Sequence, residues 1–287
     1  MAESPLIIKN RIQAVESIRK ITKVMKLIAS SKYTKLKTLY DGNLEYVNQL
    51  KHAMYLCLKY INYSDFHLPT CLTQNPGNKK LFIFVTSTLG LCGGYYYNLE
   101  KVAKQNISKN DDVIFIGEKG YRNFKNLVHK GYTDFIHILD SLTFESANKF
   151  RHYIDKLYRD ELYSEIDIIY TKFVDAMNTK AVCEKLLPLT YVPDNEVTCE
   201  PTFEGSNYKV ADLIVPHYLD ALIYRYFLES VLSEQVNRKN SMENATTSAN
   251  KLLYELTLEY NKVRQQRITE EMTEVTNGSG SNLNFIW

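Results

Sequence analysis

The chain has 287 residues, 45% of them apolar, and a formal net charge of +2. That apolar share is enough for a sizeable core and argues against a disordered chain, while the balanced charge implies no global attraction to nucleic acid or membrane. Charge is nevertheless uneven: residues 1–39 carry nine Lys or Arg against Glu3 and Glu16, so the N-terminal arm is the surface suited to an acidic partner.

The five cysteines, at 57, 71, 92, 183 and 199, are never spaced as a C-x-x-C pair, which points to reduced thiols and to neither a disulfide framework nor a zinc site. No run approaches the ~20 apolar residues of a membrane span. The opening Met1-Ala-Glu-Ser-Pro5 has no signal core or Arg-rich transit segment, and the expectation is a cytoplasmic chain.

In chain order, a three-four spacing runs through Val15, Ile18, Thr22, Met25, Ala29, Lys32, Leu36 and Leu39, followed by Leu50, Met54, Cys57 and Ile61. This predicts one coiled-coil helix from about residue 6 to 61, interrupted in composition by Gly42 alone and roughly 80 Å long. Residues 63–80, with Pro69, Pro76 and Gly77, read as a connector. The period then changes. Leu81–Thr86 and Val113–Ile116 read as strands, Ile136–Leu139 as a weaker third, and Ile166–Val174 and Ala181–Leu187 as two more. Helices are expected at about 95–108, from Gly120 to about 130, and at about 143–162. Strands alternating with helices and apolar throughout imply an open, largely parallel α/β sheet.

Residues 192–209 form a second connector, and Pro216 stands where a helix could begin. From His217 to Val275 there is no Pro or Gly, which predicts a helix of roughly 90 Å. Its first part is apolar, Ser233–Ser241 is nearly all polar, and the three-four row resumes at Met242, Ala245, Ala249, Leu252, Leu256, Tyr260 and Val263. Gly278-Ser-Gly-Ser281 is expected to end it.

Chemistry finds little support. Gly90-Leu-Cys-Gly-Gly94 sits between a strand and a helix, yet it matches neither dinucleotide nor P-loop spacing and reads better as a tight turn. Ile116-Gly-Glu-Lys-Gly120 reads as a glycine turn with an exposed lysine. The six histidines show no ligand spacing, no serine lies in a nucleophile elbow, and no paired carboxylates end a strand. Neither a catalytic residue, a metal nor a cofactor is expected.

With both ends read, the chain resembles the gamma subunit of F-type rotary ATP synthases. Ile8-Lys-Asn-Arg-Ile-Gln-Ala-Val15 and Lys20-Ile-Thr-Lys-Val-Met-Lys-Leu-Ile-Ala-Ser-Ser-Lys32 are similar to the family's opening, I-K-x-R-I-x-S-V and K-I-T-K-A-M-x-M-V-A-A-S-K. Gly90–Gly94 matches its G-L-C-G-G and Ile116–Gly120 its I-G-x-K-G. Glu229-Ser230 and Tyr260-Asn-Lys-Val-Arg-Gln-Gln-Arg-Ile-Thr-Glu-Glu271 match its closing E-S and Y-N-x-x-R-Q-x-x-I-T-x-E.

The resemblance implies a non-catalytic central-stalk rotor: an antiparallel coiled coil of N- and C-terminal helices with an inserted Rossmann-like α/β domain, divided at 1–62, 63–208 and 209–287. Its partners would be three alpha-like and three beta-like ATPase subunits, an epsilon-like subunit and a membrane ring, on the inner face of a bacterial membrane. Carried over by position, Lys20, Lys23, Met25 and Lys26 would face the acidic lever of a beta subunit. Cys92 would lie near the rim where the lever passes, and Arg264 and Gln265 would bond a sleeve loop with Thr269 and Glu271 nearby. The chain departs from the family at Ser87-Thr-Leu89 and in the tail from Gly278 to Trp287. Such drift would suit a divergent paralogue hydrolysing ATP for other mechanical work. A nucleotide-dependent enzyme built on the insert and a basic coiled-coil adaptor for nucleic acid or membrane are the competing classes.

Overall fold

A computed structural model describes residues 4–59, 70–77, 79–190 and 207–281, with side chains in the last helix from 210 to 277. Most of the second connector, residues 63–69 of the first, Ile61, Cys199 and the tail beyond Ser281 lie outside the described residues. The elements are α1 (Pro5–Lys59), a 3-10 turn (Thr70–Leu72), β1 (Lys80–Val85), α2 (Tyr95–Asn106), β2 (Asp112–Ile116), α3 (Glu118–Phe124), β3 (Lys130–Tyr132), α4 (Phe144–Arg159), β4 (Glu165–Phe173), β5 (Thr179–Leu187) and α5 (Asn207–Ser281). They form two compact units. One is a terminal helix pair, made of the described residues up to Ile28 and those from Lys239 onward; the other is a sheet unit, Ala29–Arg238.

In the sheet unit the strand order is β3-β2-β1-β4-β5, the first four parallel and β5 antiparallel at the edge. Because strand side chains alternate between faces, Leu81, Ile83 and Val85 point one way and Phe82 and Phe84 the other. The first face packs on α4 through Phe150 and Ile154, on α5 through Leu219, Ile223 and Phe227, and on Met54 and Leu58 of α1. The second packs on Leu99 and Ala103 of α2 and on Phe124 of α3. Both faces are covered, which is why the strands read as unbroken apolar runs.

Four expectations need correction. The third strand is Lys130–Tyr132, paired with Asp112–Ile114, and Ile136–Leu139 forms successive turns instead. The Ile136 carbonyl accepts from the Gly117 amide at 2.8 Å, and neighbouring Phe135 packs on Phe150 and Tyr153, so this apolar run serves the helix layer. At Gly131 a side chain would come within 2.8 Å of the Phe115 ring, a close approach that only glycine permits. Secondly, α3 stops at Phe124, since the chain turns there and the His129 amide bonds the Asp111 carbonyl to enter β3.

Thirdly, α5 begins at Asn207, with Pro216 inside it. Ala211 and Val215 are completely buried in the core, and their burial holds the preceding turn helical although the proline gives up an amide bond. Lastly, the backbone stays helical through Gly278 to Ser281, glycine being a costly helix residue and not a forbidden one.

The two glycine motifs are turns. Leu91 and Gly93 have positive φ, 64° and 56°, and Arg238 donates to the Gly90 carbonyl at 3.2 Å. Gly117 has φ 86°, and a Cβ there would lie 2.2 Å from the Thr86 carbonyl oxygen. Thr86 clamps the turn, donating to the Ile116 carbonyl and accepting from the Gly120 amide. Lys119, expected as an exposed loop lysine, is half-buried, its ammonium 5.9 Å from the Tyr96 ring centre.

The Asp112 carboxylate, buried at the start of β2, accepts from Tyr163 at 2.6 Å, Lys79 at 2.9 Å and His129 at 2.8 Å. Burial pushes its pKa up, but bonds from Tyr163, Lys79 and His129 outweigh burial and hold it below the usual value. With the folded pKa below the unfolded one, the ionised group adds stability above about pH 3.9 that is lost as pH falls through the folded value. Asp112→Asn should cost about 1–3 kcal/mol at neutral pH and flatten the acid limb of the stability curve. Urea unfolding as a function of pH measures both, and an acid limb as steep as that of the parent chain would refute the assignment.

Phe150→Ala removes a ring whose centre lies 5.2 Å from that of Phe227 and 5.0 Å from that of Phe135, at an expected cost of about 3–5 kcal/mol. The same truncation at exposed Tyr97 should stay within about 0.5 kcal/mol. Chemical denaturation followed by far-UV circular dichroism distinguishes them.

Candidate partner interface

In the terminal helix pair, α1 turns Ile8, Ile12, Val15, Arg19, Thr22 and Lys26 inward. Opposite them α5 presents Met242, Thr246, Ala249, Leu253 and Leu256, with Tyr260 and Val263 half-buried beyond. Thr22 and Thr246 share a hydroxyl bond of 2.8 Å, Lys26 pairs with Glu243 at 2.7 Å, and Arg19 reaches Asn250 at 3.5 Å. The α5 number falls as the α1 number rises, so the helices run antiparallel. Glu243 is held below the usual carboxylate range by its bond to Lys26.

This inner row lies one residue away from half of the expected one. Val15, Thr22 and Ala29 are where the spacing puts them, but Ile18 is 55% exposed, and Met25 and Lys26 are both half-buried, with Lys26 making the bond across the seam. On α5, Leu252 faces solvent and Leu253 takes its place. Glu243, Thr246 and Asn250 present polar groups across the seam, which Arg19, Thr22 and Lys26 can bond and isoleucine cannot. In the sheet unit the same offset brings Tyr33 and Tyr40 inward in place of Lys32 and Leu39. A polar row at the same three-four spacing, residues 19, 22 and 26 against 243, 246 and 250, was the signal available in the sequence.

The consequence is an inverted surface. Ile18, Ile21, Val24, Leu27 and Ile28 are all exposed, with Lys20 and Lys23 between them. Large apolar patches left outward on a soluble unit mark sites of protein contact. Between the helices lies a cavity of about 490 Å³ lined by Arg19, Lys20, Lys23, Lys26, Glu243, Thr246, Thr247 and Asn250. It gathers three of the four residues expected to meet an acidic lever; Met25 stays outside it. Glu243 holds Lys26, and Thr22, Thr246 and Asn250 bond across the seam beside the lysines; motif reading does not single out these four.

Along α5, Arg264, Gln265, Thr269 and Glu271 are exposed. Thr269 donates to the Gln265 carbonyl at 2.9 Å and Glu271 pairs with Arg267 at 3.1 Å, whereas the Arg264 and Gln265 side chains engage no other described residue. In the sheet unit, Cys92 departs from its expected place at a contact rim: it is 2% exposed, packed among Phe82, Phe84 and Tyr95, with its Sγ 3.9 Å from Ser87 Oγ. The turn points the side chain into the sheet and leaves Leu89 and Leu91 outside. Among the described residues no three His, Cys, Asp or Glu side chains gather to hold a metal.

Residues 6–281 match the family model described as ATP synthase. The ATP synthase gamma chain of Clostridium pasteurianum is 32% identical over 282 residues, covering 97% of this chain and 99% of its own length. The sodium-ion-specific gamma chain of Acetobacterium woodii is 30% identical, covering 97% and 99%. Among solved structures, a chain of the Euglena gracilis mitochondrial ATP synthase, resolved as OSCP/F1/c-ring in rotational state 3, superposes with a TM-score of 0.64 at 14% identity, over 96% of this chain and 94% of that one. The rotor of the same enzyme in rotational state 1 gives 0.59, also at 14% identity, over 92% and 98%. At such identities the likeness concerns the fold.

The threonine pair offers a test of the seam. Thr22 also bonds the Arg19 carbonyl and Thr246 the Met242 carbonyl, so two hydroxyl protons serve three bonds. Thr22→Val leaves Thr246 its bond to the Met242 carbonyl and should cost about 1 kcal/mol for the lost shared bond, and adding Thr246→Val should cost less than its own single loss, because that bond is already gone. Thermal unfolding with limited proteolysis of α1 reads both steps. Simple addition of two losses would show that the pair is not a shared bond.

Proposed function

Because the chain belongs to the gamma-chain family of F-type ATP synthases, we propose that it is the central-stalk rotor, its terminal helix pair gripped by a sleeve of three alpha-like and three beta-like subunits. The observation that carries this reading is the outer face of the helix pair, where Ile18, Ile21, Val24, Leu27 and Ile28 stand exposed beside Lys20 and Lys23 while polar bonds between residues 19–26 and 243–250 lie in the seam. A sleeve supplies the cover that such a face lacks.

On this reading catalysis belongs to the beta-like subunits, and the chain contributes a surface that differs around its circumference. Each sleeve state binds one orientation best, so nucleotide occupancy and rotor angle are coupled equilibria, and the coupling acts equally in both directions. Lys20, Lys23 and Lys26, with Met25 beside them, meet an acidic beta lever, while Arg264 and Gln265, whose side chains engage no other described residue, bond a sleeve loop near Thr269 and Glu271. Leu89 and Leu91 present the rim in place of Cys92. An epsilon-like subunit and a membrane ring attach at the sheet unit, holding the complex at the inner face of a bacterial membrane. No described helix of this chain is long and apolar enough to cross that membrane. Near-complete coverage by synthase gamma chains favours this reading over a mechanical paralogue without proton-driven synthesis.

Affinity purification of the full chain from its host should recover alpha-like and beta-like subunits in threefold excess together with the membrane sector, and recovery of a lone monomer would overturn the proposal. In that complex Lys20→Glu with Lys23→Glu should slow ATP hydrolysis about tenfold or more, because like charges placed against an acidic lever are costly.

A further inference from the structure

The sheet unit contains a cavity of about 360 Å³ bounded by α1, the turn before Gly90, the turns at 136–142 and the buried part of α5. Leu36, Leu139, Leu142 and Val231 give it an apolar wall. Its volume is in the range of small-molecule sites.

The polar lining is unevenly satisfied. Glu234 is paired with Arg238, which also donates to the Gly90 carbonyl. Asp140 accepts from Thr88 at 3.4 Å and lies 3.1 Å from His137. Gln235 is different: it is 6% exposed, its side chain bonds no described residue, and its amide is absent from the sealed, unpartnered polar atoms of the core. The amide therefore opens on the cavity. An amide that no side chain of the protein engages is free to bond a molecule that enters the cavity. Lys32 and Lys35 line the same cavity, and neither ammonium has an acid within ion-pair distance among the described residues.

We propose that this cavity binds a small amphipathic carboxylate, its head accepting hydrogen bonds from the Gln235 amide and the Lys32 and Lys35 ammonium groups, its short unbranched tail lying along Leu36, Leu139, Leu142 and Val231. Neither a bare anion nor a neutral alcohol satisfies both halves. Phosphate leaves the apolar wall uncovered, and an alcohol offers the two ammonium groups no charge-assisted bond.

The test uses the full chain, with octanoate, 1-octanol and inorganic phosphate as probes, followed by saturation-transfer NMR and calorimetric titration. Octanoate should bind at least about tenfold more tightly than either other probe, since charge-assisted bonds are about twice as strong as neutral ones. Lys32→Gln with Lys35→Gln, a change at two exposed positions, should weaken octanoate about tenfold and leave octanol unchanged. Gln235→Leu should weaken octanoate as well. If that variant fails to fold, the lysine pair decides alone. Octanoate that does not bind, binds no better than octanol, or binds equally after the lysine change overturns the proposal.

Discussion

From Tyr218 to Arg238, α5 is buried on nearly every side, yet that stretch carries Asp220, Glu229, Ser230, Ser233, Glu234, Gln235 and Arg238. A helix enclosed by protein must satisfy such groups internally. Asp220 takes Arg151 at 2.8 Å and Asn148 at 2.9 Å from α4; Glu229 takes the Tyr40 hydroxyl of α1 at 2.9 Å. Ser233 bonds the Thr171 carbonyl of β4, and the Ser230 carbonyl accepts from Tyr95 of α2. Four elements of the sheet unit, α1, α2, α4 and β4, are thus tied to one helix by polar bonds of fixed geometry. Hydrophobic burial supplies the driving force, but it does not choose a rotation of α5 about its own axis. The polar ties do.

Those ties are a poor source of net stability. A buried pair loses hydration that its mutual attraction only partly offsets, while removing one partner leaves an uncompensated charge. Glu229 shows the tension: burial raises its pKa, Arg225 and the hydroxyls of Tyr40 and Tyr170 pull it back, and its second oxygen makes no full hydrogen bond among the described residues. The arrangement makes sense as specification. Any rotation of α5 would break several ties together.

This explains what could be read from the chain alone. The five-stranded α/β unit and the two long helices were legible, because β1, β2 and β4 are buried on both faces and the α5 row at Met242, Ala249 and Leu256 is apolar. The weak points share a cause: there, polar or glycine residues occupy positions set by specific partners. Lys130-Gly-Tyr132 has no strand pattern, since its glycine answers the Phe115 ring. Ser233–Ser241 looks like a solvated surface and is largely interior. Half of the α1 seam lies one residue from its apolar row because Arg19, Thr22 and Lys26 face bonding partners that isoleucine cannot engage. Among the candidate site residues, Lys20, Lys23, Lys26, Arg264 and Gln265 are accessible or line a cavity. Cys92 is not, because the backbone of a left-handed turn decides where its thiol points.

The displaced seam also bears on how a rotor can work. The interior of the terminal helix pair mixes Ile8, Val15, Met242 and Leu256 with threonine, alanine and charged side chains, so the pair gains only part of the roughly 25 cal/mol per Å² available from burial. A further gain lies on its outer face, where Ile18, Ile21, Val24, Leu27 and Ile28 wait for cover. If the sleeve supplies that cover, it adds an apolar contribution to the one the two helices make to each other. A sleeve that changes conformation then alters part of the free energy holding the pair, and apolar contacts, being non-directional, can be exchanged between successive sleeve positions without an unsatisfied polar group at each step. The directional bonds are kept inside, where they maintain the register of the helices while the outer contacts change.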